Sequence, residues 1–353
     1  MPRLFALLLS LCIVLSFGCA PRQDGRLYIY CNETFWYVIQ EQALSFNRIY
    51  GSQIILIPIR AEQTQNVLEN GIEIETGHRV PVPWEFMLSE EITGDPNADD
   101  PRRQINFNQI HPDIVQQIER IEDESIRLGD LFISDSPRHL DMVRGHALSA
   151  DEFLVCYLTL SMLVPMGNPN HFRSVRDVLD THRRLGMMNP TFDGLGEASW
   201  IVLRRMFSGD ESAIPMELIS IYERQFDLLE ALELGYIDAA LVWDATSQIN
   251  FLLVKYADQY NEAYADMIRQ AERRRDHERL RDILQVMYEQ LVETHTFAEV
   301  VPLTENPDER LVVAVRLVAL SSATNFGHCK RFADFLRSPL GRGIFRRFGF
   351  VAE

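Results

Sequence analysis

The chain has 353 residues, with 34 Lys and Arg against 51 Asp and Glu, a formal net charge of −17 at pH 7 and 46% apolar residues. That charge repels phosphate backbones and anionic headgroups and so argues against a nucleic-acid reader or a polybasic membrane binder. Its 20 Phe, 11 Tyr and 4 Trp argue against disorder, and the length exceeds what one core normally fills, so two lobes are expected.

The N-terminus differs from the rest. Met1-Pro2-Arg3, the apolar run Leu4 to Phe17 and then Gly18-Cys19 read as an export signal over residues 1–18. The run is shorter than the roughly 20 residues a spanning helix needs. A small residue followed by Cys is a lipoprotein cleavage pattern, which makes Cys19 the lipidated first residue and 19–26 an anchor and linker. Ser16 stands where that pattern usually has an apolar residue, so ordinary cleavage stays open. Cys31, Cys156 and Cys329 lie at long spacings that fit no metal site, and they read as small apolar core residues.

Along the chain, Leu27 to Cys31 is β-rich, Val38 to Tyr50 is helix-like with Gly51 as its stop, and Ile54 to Ile57 is β-rich again. Strand, helix, strand with a right-handed crossover predicts two parallel neighbours. Further strands are predicted at Leu131 to Ile133, Phe153 to Val164, Leu185 to Met188, Ala239 to Val242 and Leu311 to Leu320, with helices between them.

Two stretches break the rhythm. Residues 79–112 hold five prolines and several Asp, an inserted surface loop. Residues 256–293 lack Pro and Gly and carry Ile268, Ile283, Met287 and Leu291 at helical spacing, which predicts one long helix or a hairpin of two. The run Arg273-Arg274-Arg275 within it is a solvated face balanced by Glu272, Asp276 and Glu278.

Ligands of open α/β sheets bind where strands end and helices begin. Four loops qualify: Asn32-Glu33-Thr34, Ser134-Asp135-Ser136, Asn189 to Gly196, and Trp243 to Thr246. At these loops the chain resembles the molybdate- and tungstate-type periplasmic substrate-binding proteins of ABC importers. The resemblance is carried, in order, by Leu27 to Phe35, Gly129 to Ser134, Leu163 to Pro169 with Ser174 to Val178, Asn189-Pro190 with Gly196, Gly235 to Val242, Phe332 to Pro339 and Phe348-Gly349-Phe350. It implies the type II periplasmic binding protein fold, an α/β class in which two doubly wound α/β lobes are joined by two crossing strands. Lobe 1 would be 27–150 plus 312–353, lobe 2 would be 151–311, and the crossings would fall near Phe153 to Val164 and Val301 to Leu320.

The implied function is capture of a small oxyanion in an interlobe cleft, without catalysis, cofactor or resident metal, by a monomer that delivers it to ABC permease subunits from a lipid-anchored or periplasmic position. The implied site comprises Asn32, Glu33, Thr34, Ala61, Ser134, Asp135, Asp193, Leu195, Arg224, Gln225, Trp243 and Asp244. Thr34 stands where the family has an oxyanion-contacting serine, and Trp243 where it has a cleft tyrosine. The family's second serine loop would fall at Ala61 to Thr64, where no Ser-Gly occurs, or after the insertion at Asp113 to Glu119.

Glu33, Asp135, Asp193 and Asp244 leave the ligand's charge open. They cap helices or point to solvent, or they face the cleft and select a cation such as a polyamine or ferric ion, or they enter the coordination shell of an oxyanion metal. The histidines show no metal-helix spacing, and Ser134, Asp135, Ser136 and His139 lack a nucleophile turn, so an enzyme is not expected. A sensor whose 256–293 segment docks another protein remains an alternative.

Overall fold

The computed structural model describes residues 26–32, 34–59, 64–70, 129–244, 246–274, 277–303 and 311–352. The expected signal, Cys19, Glu33, Ala61 and the 79–112 insertion lie outside the described residues.

Strand β1 (Arg26–Cys31) leads through a tight turn into helix α1 (Trp36–Tyr50), whose apolar face holds Val38, Ile39, Ala43 and Phe46. The helix stops at Gly51, where φ is +62° and the backbone N–H returns to Asn47 O at 2.8 Å. A side chain would strain that left-handed position, which is why glycine serves as the stop. Strand β2 (Gln53–Pro58) then lies parallel to β1, as predicted, with Leu27 opposite Ile54 and Ile29 opposite Leu56. Helix α2 (Thr64–Asn70) follows.

After the undescribed segment come β3 (Leu131–Ser134), α3 (Pro137–Gly145) and the 17-residue strand β4 (Ser149–Pro165). Next are α4 (Val175–Asp180), β5 (Leu185–Met188), α5 (Gly194–Met206), β6 (Ile219–Tyr222), α6 (Gln225–Glu233) and β7 (Ala239–Trp243). The chain closes with α7 (Thr246–Arg274), α8 (His277–His295), β8 (Ala298–Pro302), β9 (Val312–Leu320), α9 (Phe326–Leu336) and α10 (Pro339–Arg347).

The strands run in the order β2-β1-β3-β9-β4-β7-β5-β6, with β8 also on β4. β1, β2 and β3 are mutually parallel, and so are β5, β6 and β7. Long β4 joins these two parallel groups: residues 149–159 pair antiparallel with β9, and residues 160–165 pair antiparallel with β7 and β8. The sheet is therefore mixed rather than wholly parallel, because β4 and β9 both run against their neighbours.

Two strands escape the sequence reading. β6 is a four-residue strand with Ile221 exposed, and β8 (AEVVP), paired with β4, buries only its first residue, Ala298. The 256–293 stretch forms a hairpin, α7 against α8, sealed by Ile268, Ala271, Ile283 and Met287. Its first helix begins at Thr246, earlier than the proline- and glycine-free stretch alone suggested. Cys31, Cys156 and Cys329 are buried free thiols. Among the described residues no helix is long and apolar enough to cross a membrane.

Candidate functional site

Because β1 and β3 share a direction, and β5, β6 and β7 share another, the loops at their carboxyl ends fall into two groups, and these groups touch. The decisive contacts come from the turn after β3. Ser136 caps α3: its Oγ accepts from the His139 N–H at 3.1 Å, and Pro137 takes the first helical position. With the cap supplied by Ser136, Asp135 is released from that duty. Its side chain, 2% exposed, reaches across to β7 and α5.

Asp135 Oδ2 accepts from the Trp243 Nε1–H at 2.9 Å, while Oδ1 has no hydrogen-bond partner. The carboxyl packs on Gly194, the first residue of α5. A Cβ built there would lie 2.7 Å from Asp135 Cγ, so the approach requires glycine. Beside it Asp193 caps α5, its Oδ1 accepting from Leu195 N–H at 2.8 Å and Gly196 N–H at 3.2 Å. Ser136 Oγ donates to Glu197 Oε1 at 2.5 Å, a second link between the β3 loop and α5. A third link joins the β1 loop to the β6 loop, where Gln225 Nε2 donates to Thr34 Oγ1 at 2.7 Å, both residues being buried.

The other expected site residues are placed as follows. Ser134 Oγ accepts from Ser136 N–H at 3.1 Å and so shapes the turn. The carbonyl of Asn32 accepts from Phe35 N–H at 3.2 Å, and its buried Oδ1 has no partner. Arg224 holds Asp227 of its own helix through Nε and Nη2, each at 2.8 Å. Asp244 is half-buried, with its N–H on Thr159 O at 2.9 Å. Leu195 N–H, read as a ligand donor, is satisfied by Asp193. Glu197 and Gly194 were not singled out in the sequence. The available signal was an acid in the first turn of a helix whose opening residue is glycine.

Burial dominates the electrostatics. It pushes Asp135 up to about 8, with repulsion from Asp193 next in size and the Trp243 hydrogen bond opposing. Burial also raises Asp193, to about 6, against the lowering effect of the Gly196 and Leu195 N–H groups. Two acids this close and this deep cannot both ionise cheaply. Burial and repulsion from Asp193 and Glu197 outweigh the help that Asp135 gets from its own backbone N–H and the Trp243 indole, while Asp193 has the Leu195 and Gly196 N–H groups, so Asp135 is the neutral partner near pH 7. Glu197 is raised by burial, while the Ser136 hydroxyl draws it back. His139, half-buried on α3, is pulled down to about 4 by desolvation and then by Arg138. Among the described residues no group of three or more His, Cys, Asp or Glu could hold a metal ion. The arrangement offers hydrogen bonds from several loops and a helix amino end, the apparatus of binding rather than of bond-making.

The sequence of residues 106–351, more than half of the chain, matches the family of bacterial extracellular solute-binding proteins. The chain belongs to that family. No curated protein matches it in sequence. Solved structures share its fold at low identity. The periplasmic molybdate-binding protein of Azotobacter vinelandii superposes with a TM-score of 0.50 at 10% identity, covering 93% of this chain and 99% of that one. The sulfate-binding protein SubI of Mycobacterium tuberculosis gives 0.53 at 11% identity, covering 92% and 86%. Iron-bound HitA of Pseudomonas aeruginosa gives 0.50 at 13% identity, covering 91% and 84%. The fold is that of the type II periplasmic binding proteins. The protein is a solute-binding component of ABC-type transport that acts outside the cytoplasm, and it is not an enzyme. A small-molecule ligand and permease subunits are its partners by family.

Proposed function

We propose that this solute-binding protein captures a small tetrahedral oxyanion, of the molybdate or tungstate class, in a cleft between a lobe formed by 27–150 with 312–353 and a lobe formed by 151–311. It then hands the ligand to an ABC permease, from a membrane tether on Cys19. The observation that carries this reading is the meeting of the β3 and β7 strand-end loops at the amino end of α5, through Trp243 Nε1–H on Asp135 and Ser136 Oγ on Glu197, with the buried Thr34–Gln225 pair as a further link between strand-end loops. Fixed neutral donors at a helix amino end recognise an oxyanion by size and geometry rather than by countercharge. The molybdate- and sulfate-binding proteins that share the fold are named for ligands of this shape.

The test is calorimetry and thermal denaturation with molybdate, tungstate, sulfate, phosphate, ferric citrate and spermidine. A ligand at 100 times its dissociation constant adds about 2.7 kcal/mol to stability. Stabilisation by molybdate or tungstate, weakened by roughly 1–3 kcal/mol in Thr34→Ala, supports the reading. Stabilisation by spermidine or iron alone overturns it.

A further inference from the structure

The Asp135 carboxyl is only half used. Oδ2 is engaged by the Trp243 indole, whereas Oδ1, equally shut off from solvent, has no partner and lies against the first residue of α5. A buried oxygen in that condition costs free energy until something bonds to it. The amino end of α5 is where an anion is favoured, yet Asp193 and Glu197 already bring two carboxylates there. An ionised Asp135 would add to the repulsion a dianion meets from these acids, whereas a neutral Asp135 offers it a donor.

We propose that Asp135 meets the oxyanion as a neutral carboxylic acid, donating an O–H hydrogen bond from Oδ1 to a ligand oxygen at the amino end of α5, so that a fully ionised oxyanion binds only the form of the protein that holds this proton. The inference rests on the oxyanion reading of the same site and names the residue that sets its ligand's protonation requirement.

The surroundings select Asp135 for the proton. From α5, Asp193 accepts two backbone N–H bonds, and Glu197, raised by burial, accepts from the Ser136 hydroxyl. From β4, the buried Cys156 thiol is itself raised, by burial and then by Asp135. Further out on α3, Arg138 offsets Glu197, and His139 is neutral because burial and Arg138 lower it. Glu223, after β6, adds to the repulsion on Asp193. Asp135, helped only by its own backbone N–H and the Trp243 indole, is pushed up to about 8 before any ligand charge is added. An adjacent dianion raises it further. The proton comes from solvent, and no covalent bond changes.

The probes are molybdate, tungstate and sulfate, which carry no exchangeable proton from about pH 8 to about pH 9.5. Calorimetry on the purified protein is expected to show affinity falling with a slope that steepens from about threefold to about tenfold per pH unit over this range, and proton uptake per ligand rising from about one half towards one when buffers of different ionisation enthalpy are compared. In Asp135→Asn the amide N–H supplies the donor permanently, so binding persists, the slope flattens and proton uptake vanishes. If that variant does not fold, the infrared carbonyl stretch of a neutral carboxyl, persisting in the ligand-bound wild-type protein at about pH 9, decides the matter in its place. A flat wild-type profile without proton uptake, an unchanged slope in Asp135→Asn, or a missing neutral-carboxyl band overturns the inference while leaving oxyanion binding intact. Spermidine bound with release of a proton, or no oxyanion bound at all, overturns the oxyanion reading and this inference with it.

Discussion

The Trp243 Nε1–H donates to Asp135 Oδ2 at 2.9 Å, joining the last residue of β7 to the loop after β3 across 108 positions of sequence. Both side chains are buried, so this hydrogen bond forms out of water and ties together strand ends from the two parallel groups of the sheet.

Trp243→Phe keeps an aromatic ring in the core and removes the donor together with part of the indole's volume, a packing loss common to both backgrounds compared below. Leaving a buried carboxyl oxygen unpaired costs about 1–3 kcal/mol, and that loss of stability is expected in urea or thermal denaturation. The same change in an Asp135→Ala background should cost much less, because no acceptor is left stranded. Equal costs in the two backgrounds would show that the indole and the carboxyl do not share a bond.

The parts of this arrangement that local chemistry dictates were readable from sequence. The alternating Leu27 and Ile29, the helix face of Val38, Ala43 and Phe46, and the stop at Gly51 together specify β1-α1-β2. Asp193 before Gly194-Leu195-Gly196 has the form of a helix cap, and it is one. The start of β4 was hidden because Ser149, Asp151 and Glu152 are polar and the whole stretch Ser149 to Glu152 is half-buried or exposed, and β6 because four residues on one side of β5 give too short a pattern to recognise. Asp135 was named among four loop acids, but nothing local distinguished it from Asp193. The difference arises from Ser136, which takes the capping role on α3, and from Gly194, which opens space for the carboxyl on a helix met only after folding. The partnership of Gln225 with Thr34 spans 191 positions and has the same tertiary origin.

Stability should fall as pH rises through the neutral range. In the unfolded chain Asp135 titrates near the ordinary value of 3.8, and in the folded protein near 8, so the folded form holds the proton more tightly. The stabilisation is complete below the unfolded value and declines between about pH 4 and pH 8, with a limiting slope of about 1.4 kcal/mol per pH unit for one proton. Asp193, raised to about 6, contributes in the same direction over the lower part of that window. Asp135→Asn removes the larger contribution. Denaturant unfolding of the two ligand-free proteins from pH 4 to pH 8 should therefore show the variant gaining on the wild type as pH increases. Parallel profiles would mean that Asp135 titrates alike in the folded and unfolded states.

Gly194→Ala separates helix propensity from the contact with Asp135. On propensity alone the substitution should stabilise α5, since alanine exceeds glycine by up to about 1 kcal/mol within a helix, with less at its first position. The added Cβ, however, would sit 2.7 Å from both Cγ and Oδ1 of Asp135, far inside contact distance. The carboxyl has Trp243 on one side and α5 on the other, so it cannot withdraw without breaking its only hydrogen bond or parting the loops. Overpacking of this kind costs about 1–3 kcal/mol, which outweighs the propensity gain, and net destabilisation is expected in the wild-type background. In Asp135→Ala the obstructing carboxyl is gone, and Gly194→Ala should become neutral or mildly stabilising. A double-mutant cycle on chemical denaturation should thus return a coupling of about 1 kcal/mol or more between positions 135 and 194. Simple additivity would show that the β3 loop and the amino end of α5 stand apart in solution, and that the closed contact between Asp135 and Gly194 is not the resting state of the protein.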